Sequence, residues 1–266
     1  MVDDQAFMYL WNESVASRGP DEIASTLLKY IAHNVKTENL IAYTDCCGGQ
    51  NRNFKIAMLW NYIVQREDYT VTSVDHKFLL SGHTFLPNDQ DFGLIEKNKR
   101  YHSNVFVPHD WVRVVATARK DKPFIVTELE QSHFVSTDEL VKQCINRKMN
   151  ASHQKVEWLK IQWIHFDRDH PNVMFFKYSL SPDAYFTSVD FTKKIRGRPK
   201  SINNIELSPL YPAGRPIQRL KLKDLKDLLK YIPAVNHQFY RELKCDNSAD
   251  EDGGGGTAVW TESETE

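Results

Sequence analysis

The chain has 266 residues, 41% of them hydrophobic and 12% aromatic, which is enough for a sizeable core and a second small domain. The formal net charge is -1, so the total charge neither indicates nor excludes a nucleic-acid partner. The charge is unevenly distributed, because residues 193–230 are rich in Lys and Arg whereas the tail after Cys245 carries only acidic charges.

The four cysteines, Cys46, Cys47, Cys144 and Cys245, show neither a C-x-x-C pair nor the spacing of a zinc site. This pattern favours a reducing compartment. No stretch reaches the roughly 18 apolar residues of a membrane span, and the N-terminus has no apolar signal region. We therefore expect a nuclear protein, with the cytoplasm as the alternative, and no membrane partner.

The first half of the chain alternates between strand-like and helix-like segments. Strands are predicted at 7–11, 40–44 and 69–80, and helices at 21–33, 53–65 and 89–100. This alternation predicts an α/β sheet with helices on its faces. A helix near 111–118, a strand at 123–126 and a helix from 136 to 147 are predicted to follow.

The pattern changes after residue 155. Two strand-like segments, 158–166 and 173–178, flank a turn and predict a β-hairpin, to which 186–191 adds a third strand. A basic linker and a helix over 223–231, stopped by Pro233, come next. The expected domains are an α/β domain (1–130), a helical connector (131–155), a small β-rich module with a C-terminal helix (156–243) and a disordered acidic tail (244–266).

Two aspartates lie at positions where α/β sheets usually have their functional sites. Asp45 directly follows a buried strand, and Asp89 begins the helix after the next strand. Open α/β sheets bind ligands at the carboxyl ends of their strands. Convergent carboxylates suit Mg²⁺ or Mn²⁺, which serve nucleases and DNA strand transfer. The alternative is that both aspartates only cap helices.

Two longer motifs contain these aspartates. The stretch from Asp45 to Asn53 resembles the D-x-C-x-G-Q-N-x-N signature of a large family of transposon-derived eukaryotic proteins. The stretch Gly82-His83-Thr84, followed by Asp89 and Phe92, resembles the G-H-T…D-x-x-F signature of the same family. Further similarity extends to about Leu243. The resemblance implies a ribonuclease-H-like, integrase-type fold with a triad of acidic residues.

The resemblance also implies roles for particular residues. Asp45 matches the second acidic position, and Asp89 the third, with Glu96 as the runner-up for the third. The first acidic position has no counterpart, so we expect an incomplete, N-terminally truncated domain that lacks its opening strands. We expect three polar residues to support the site by shaping it, contacting phosphate or orienting Asp89. These are Gln50, Asn51 and His83.

A basic segment lies between the third hairpin strand and the C-terminal helix. Arg196-Gly197-Arg198-Pro199 resembles the core of the AT-hook, which lays two guanidinium groups in the minor groove of A·T-rich DNA. The flanking Lys193, Lys194 and Lys200 would add phosphate contacts. A nuclear import signal or a solvated linker is the alternative.

These features predict a transposase-derived protein whose complete relatives cleave and join DNA with Mg²⁺ or Mn²⁺, and which is itself inactive or incomplete. One alternative is a non-catalytic DNA-binding protein that uses the AT-hook-like segment. The other is a domesticated or relic interaction protein. DNA is the expected partner, and a homo-oligomer is possible.

Overall fold

The computed structural model describes residues 5–79, 86–193 and 202–246. The chain divides into two units, residues 1–214 and residues 215–266. The first unit is a mixed α/β structure, as the alternation of strands and helices predicted. Its elements, in chain order, are β1 (Phe7–Leu10), α1 (Pro20–Asn34), β2 (Asn39–Asp45), α2 (Phe54–Gln65), β3 (Ser73–Leu79), α3 (Pro87–Lys99), α4 (Asp110–Ala116), β4 (Ile125–Glu128), α5 (Asp138–Gln143), β5 (Trp163–Asp167), β6 (Val173–Lys177) and β7 (Thr187–Asp190).

The main sheet has five strands in the order β2-β3-β5-β6-β7. Strands β2 and β3 are parallel, and the remaining neighbours are antiparallel. The hairpin that the sequence predicted as part of a separate module therefore continues the sheet of the first domain. Its strand β5 pairs with β3 from Ser73↔Asp167 to Lys77↔Trp163. The physical reason is that a two-stranded hairpin is marginally stable alone, whereas here its apolar face completes a larger core.

Helix α2 lies against the inner face of this sheet. Nine consecutive residues, Ile56 to Val64, are buried. The sheet presents Val74 and Phe78 of β3 and Ile164 and Phe166 of β5 to the same core. Successive side chains of a strand point to opposite faces, so the residues between these form the outer face. The main core therefore fills one side of the sheet, with α1 and α5 packed beside α2.

Strands β1 and β4 form a second, two-stranded parallel sheet, with Phe7 opposite Ile125. The Phe7 ring contacts Tyr30 of α1 with 5.3 Å between ring centroids. On the other face, Met8 and Leu10 pack in a cluster with Ile95 of α3 and Val115 of α4. This small sheet is thus covered by helices on both faces, as parallel strands usually are.

The second unit is described from Arg215 to Asp246. It contains β8 (Ile217–Gln218), α6 (Arg219–Asp227), α7 (His237–Glu242) and β9 (Cys245–Asp246), with β8 and β9 parallel. The helix predicted at 223–231 begins earlier, at Arg219, and continues from Leu228 to Tyr231 as a 3₁₀ turn before Pro233. Of the predicted disordered tail, 244–266, the part after Asp246 lies outside the described residues, whereas Cys245 and Asp246 form β9.

Candidate functional site

Asp45 is the last residue of β2, at the carboxyl end of the parallel pair β2–β3. Its side chain is exposed, and its Oδ1 accepts hydrogen bonds from the Cys47 amide at 3.0 Å and from Asn51 Nδ2 at 2.7 Å. Among the described residues, its Oδ2 has no hydrogen-bond donor. Asp45 therefore fixes the loop that follows β2 with one oxygen and presents the other to solvent.

The loop between β2 and α2 is closed by its own backbone. The Cys47 carbonyl accepts the amides of Gln50, Asn51 and Arg52 at 3.3, 2.7 and 3.0 Å. The Gln50 side chain donates to the Arg18 carbonyl at 3.1 Å. Asn53, not Asp45, caps α2, since its Oδ1 accepts the Ile56 amide at 3.0 Å. The Asn51 side chain thus holds the turn through Asp45, whereas the Gln50 side chain ties the turn to the segment before α1.

The second predicted carboxylate has a different local role. Asp89 lies in the first turn of α3, where its Oδ2 accepts the Leu86 amide at 3.2 Å, the hydrogen bond of a helix cap. Glu96 is exposed and lies 3.9 Å from Lys99. Among the described residues, no hydrogen bond or ion pair joins Asp45 to Asp89 or to Glu96.

The described residues do not fit a complete magnesium or manganese site. Within residues 5–79, 86–193 and 202–246, no group of three or more His, Cys, Asp or Glu side chains is placed to hold a metal ion. Asp45 offers one unengaged carboxylate oxygen, whereas these ions take several oxygen ligands. His83, the other predicted neighbour of Asp89, lies outside the described residues.

A buried hydrogen-bond chain that sequence reasoning missed lies beneath Asp45. His76 of β3 is 1% exposed, and its Nδ1 accepts a hydrogen bond from Trp60 Nε1 at 3.0 Å. Its Nε2 lies 2.8 Å from the hydroxyl of Thr44, the residue before Asp45. Burial lowers the pKa of His76 to about 3, so the ring is neutral. The alternation of β3, which turns His76 inward between Val74 and Phe78, was the available signal.

The outer face of the main sheet carries a cross-strand row of aromatic and cationic side chains. Tyr43, Lys77, Trp163 and Lys177 are successive neighbours on four strands. Lys77 Nζ and Lys177 Nζ lie 4.0 and 4.5 Å from the centroid of the Trp163 ring. Both ammonium groups interact with the tryptophan, a favourable cation–π arrangement. This row stabilises the exposed face and leaves little of the Trp163 ring for stacking.

Beside this row lies an acid–histidine network that the sequence also did not reveal. His165 Nδ1 donates to Asp75 Oδ1 at 2.9 Å, and Trp163 Nε1 donates to the same oxygen at 2.6 Å. His165 Nε2 lies 3.5 Å from Asp167 Oδ2. The hydrogen bond to Asp75 raises the pKa of His165, which favours its protonated form.

The AT-hook-like segment falls almost entirely outside the described residues, namely Lys194, Arg196, Gly197, Arg198, Pro199 and Lys200. Lys193 is described and exposed, and its Nζ donates to the Lys142 carbonyl at 3.1 Å.

Helix α6 of the second unit presents a basic stripe. Arg219, Lys223 and Lys226 are exposed, and their spacing of four and three residues places them on one helical face. Leu222, three residues after Arg219 and four before Lys226, lies beside these cations on the helix and is buried. The exposed cations therefore border the buried side of α6.

Within the described part of the chain, no helix is long and apolar enough to cross a membrane. No protein-family model matches the chain, and neither a curated protein nor a solved structure does.

Proposed function

We propose that the chain is a transposase-derived DNA-binding protein whose ribonuclease-H-like domain contributes a single active-site carboxylate, Asp45. The observation that carries the proposal is the charge of the C-terminal part. Residues 193–246 contain thirteen Lys or Arg against five Asp or Glu. Such a concentrated surplus attracts phosphates and raises the rate and affinity of DNA binding.

The basic stripe of α6 supports this assignment. Its three cations lie within two helical turns and are exposed, so they match the close spacing of phosphates along a DNA strand. The AT-hook-like segment precedes the second unit in sequence and would add minor-groove contacts. In this proposal the protein acts in the nucleus.

The catalytic half of the proposal concerns complete relatives. The resemblance implies that they cleave and join DNA with Mg²⁺ or Mn²⁺, and the position of Asp45 at the carboxyl end of a parallel strand supports its role as one ligand. Because the described residues do not assemble a metal site around Asp45, we propose that this chain binds DNA without cleaving it.

The test of binding is fluorescence anisotropy with a labelled 20-base-pair duplex across a range of salt concentrations. We expect the double variant K223A/K226A to weaken binding at every sequence and to reduce the salt slope by about one unit per lysine. The matched control is K97A/R100A, which removes two exposed cations from the first unit. Equal losses in both variants would show non-specific attraction, and the absence of binding would leave the relic interaction protein.

The test of groove recognition compares A·T-rich with G·C-rich duplexes. We expect the preference for A·T-rich DNA to disappear in R196A/R198A while general affinity falls only moderately. Equal affinities of the unaltered protein for both duplexes would exclude minor-groove readout.

The test of catalysis is nicking of supercoiled DNA in the presence of Mg²⁺ or Mn²⁺. We expect no nicking by this chain. Metal-dependent nicking that disappears in Asp45→Asn would show that the chain holds a working centre and would overturn the non-catalytic part of the proposal.

A further inference from the structure

Strand β9 ends beside the start of helix α6. The parallel pairing of β8 with β9 places Gln218 opposite Asp246, and α6 contacts β9. The residue after Gln218 is Arg219, the first residue of α6, whereas the residue after Asp246 begins the acidic tail. Paired strands lie about 4.8 Å apart. The chain after Asp246 therefore leaves the described part of the second unit next to the helix that carries the basic stripe.

The charges before and after this junction are opposite. Residues 215–246 contain eight Lys or Arg against four Asp or Glu. Residues 247–266, which lie outside the described part of the chain, contain six Asp or Glu and no Lys or Arg. Two groups of three acidic residues flank glycines 253–256: the near group is Asp250, Glu251 and Asp252, and the far group is Glu262, Glu264 and Glu266. The tail thus has the same sign of charge as DNA and is attached to the surface proposed to bind DNA.

Two lysines of the basic stripe are available to carboxylates. Lys223 and Lys226 are exposed, and within residues 215–246 neither forms an ion pair. The first turn of α6 contains no acidic residue, so the partial positive charge of the helix start adds to that of the stripe. Both features attract negative charge to this side of α6.

The near group is within reach of the whole stripe. Asp250 follows Asp246 by four residues, and four extended residues span about 13 Å. From Arg219 to Lys226 the helix rises by only about 10 Å. A segment attached so close to its target has an effective concentration there on the order of millimolar. The far group begins ten residues after Asp252, so its effective concentration at the stripe is lower.

We propose that the near group docks on the basic stripe of α6 and competes with DNA for it, which makes the tail an intramolecular inhibitor of DNA binding. This inference rests on the proposed function, because it assigns a form of regulation to the same surface. Carboxylates and DNA phosphates pair with the same lysines, so only molecules with an undocked near group bind DNA. The apparent affinity for DNA falls by the fraction of molecules that are docked.

The first test is cross-linking with a carbodiimide, which joins a lysine amine to a contacting carboxylate as an amide, with loss of water. We expect mass spectrometry of the monomeric product to map cross-links between the near group and Lys223 or Lys226. The matched control is K223R/K226R, which keeps both positive charges but removes the reactive amines. This variant should lose these cross-links and keep the inhibition of DNA binding. The cross-linking itself requires no DNA.

The second test is fluorescence anisotropy of the full chain with the labelled duplex at about 50 mM salt. D250N/E251Q/D252N neutralises the near group and should tighten DNA binding by about tenfold. E262Q/E264Q/E266Q removes the same number of charges from the far group and should tighten binding by about twofold at most. When K223A/K226A is also present, the near-group substitutions should change the affinity little, because the docking surface is missing.

Three results would overturn the inference: no cross-links to Lys223 or Lys226, cross-links only between two copies of the chain, or equal gains in affinity from the two groups. Equal gains would show that the tail weakens DNA binding only through its total charge. If no variant binds DNA, the proposed function fails and the competition fails with it. In that case the cross-links still decide whether the near group docks on α6.

Discussion

Trp60 Nε1 donates a hydrogen bond to His76 Nδ1 at 3.0 Å, and because indole nitrogen is only a donor, this contact fixes the tautomer of the histidine. The proton therefore resides on Nε2, which donates to the Thr44 hydroxyl at 2.8 Å. Thr44 in turn donates to the Asp45 carbonyl at 3.0 Å. The chain of hydrogen bonds links α2, β3 and β2 directly beneath the candidate site.

The neutral state of His76 makes stability depend on pH. Burial lowers its folded pKa to about 3, whereas in the unfolded chain it is near the ordinary 6.5. The unfolded state therefore binds a proton first as pH falls below 6.5, and stability decreases from there towards pH 3. We expect a loss of about 2 kcal/mol at pH 5 relative to pH 7 from this group.

The measurement is urea unfolding at pH 7 and pH 5 for the unaltered protein and for His76→Phe. The variant should be less stable at pH 7 but should lose less stability on acidification, because it lacks the titrating ring. The raised pKa of His165 gives the opposite pH dependence of stability. This contribution is the same in both proteins, so it cancels when their pH dependences are compared. An identical pH dependence of the two proteins would show that His76 is not held neutral.

The alternation of strands and helices was predictable because it depends on local apolar patterns. Strands β2 and β6 and helix α2 lie where the sequence placed them. The pairing of β5 with β3 was not predictable, since it joins segments separated by about 90 residues and depends on the shared core rather than on local pattern. The same holds for β1 and β4.

Some features of the candidate site were likewise predictable from local sequence, and others were not. The position of Asp45 at the end of β2 and the closed turn around Gln50 and Asn51 follow from local sequence. The networks of His76 and His165 do not, because their partners come from other strands and helices. Asp89 is a third case, because an aspartate at a helix start can be either a metal ligand or a helix cap. Only the contacts of its side chain distinguish these two roles.

Lys55 holds three helices together. Its ammonium group lies 2.5 Å from Asp21 of α1 and 2.7 Å from Asp138 of α5. Asp21 also accepts the Thr137 amide and hydroxyl at 2.8 and 2.6 Å. We expect Lys55→Met to lower the free energy of unfolding by about 1–3 kcal/mol, because the mostly buried Asp21 loses its cation.

Urea unfolding at pH 7 measures this loss. Lys142→Met is the matched control, because Lys142 also pairs with a carboxylate but is exposed on α5, where ion pairs contribute little. Its unfolding midpoint should be unchanged. If both variants lose the same stability, the burial of Asp21 is not what makes the Lys55 contacts matter.

The hydrogen bond from His165 to Asp75 predicts an altered titration. This bond raises the pKa of His165 above 6.5, against the smaller opposing effect of burial. The protonated ring therefore contributes stability below pH 6.5 that is lost as pH rises through the raised pKa. Asp75→Asn should lower the titration midpoint of His165, followed through its ring protons by NMR.

Asp167→Asn is the control for this titration, because Asp167 lies farther from the ring, at 3.5 Å. It should lower the midpoint less than Asp75→Asn does. A larger decrease in Asp167→Asn would reassign the raised pKa to the other carboxylate.

The two hydrogen bonds accepted by Asp45 Oδ1 predict different effects for two substitutions. Asparagine retains an oxygen that accepts from Cys47 and Asn51, whereas alanine removes it. We expect Asp45→Ala to cost about 1–2 kcal/mol of unfolding free energy and to speed exchange of the Cys47 amide. Asp45→Asn should change both much less, which makes it the cleaner variant for tests of metal or DNA chemistry. If asparagine destabilises the loop as much as alanine, the negative charge rather than the acceptor geometry holds the turn.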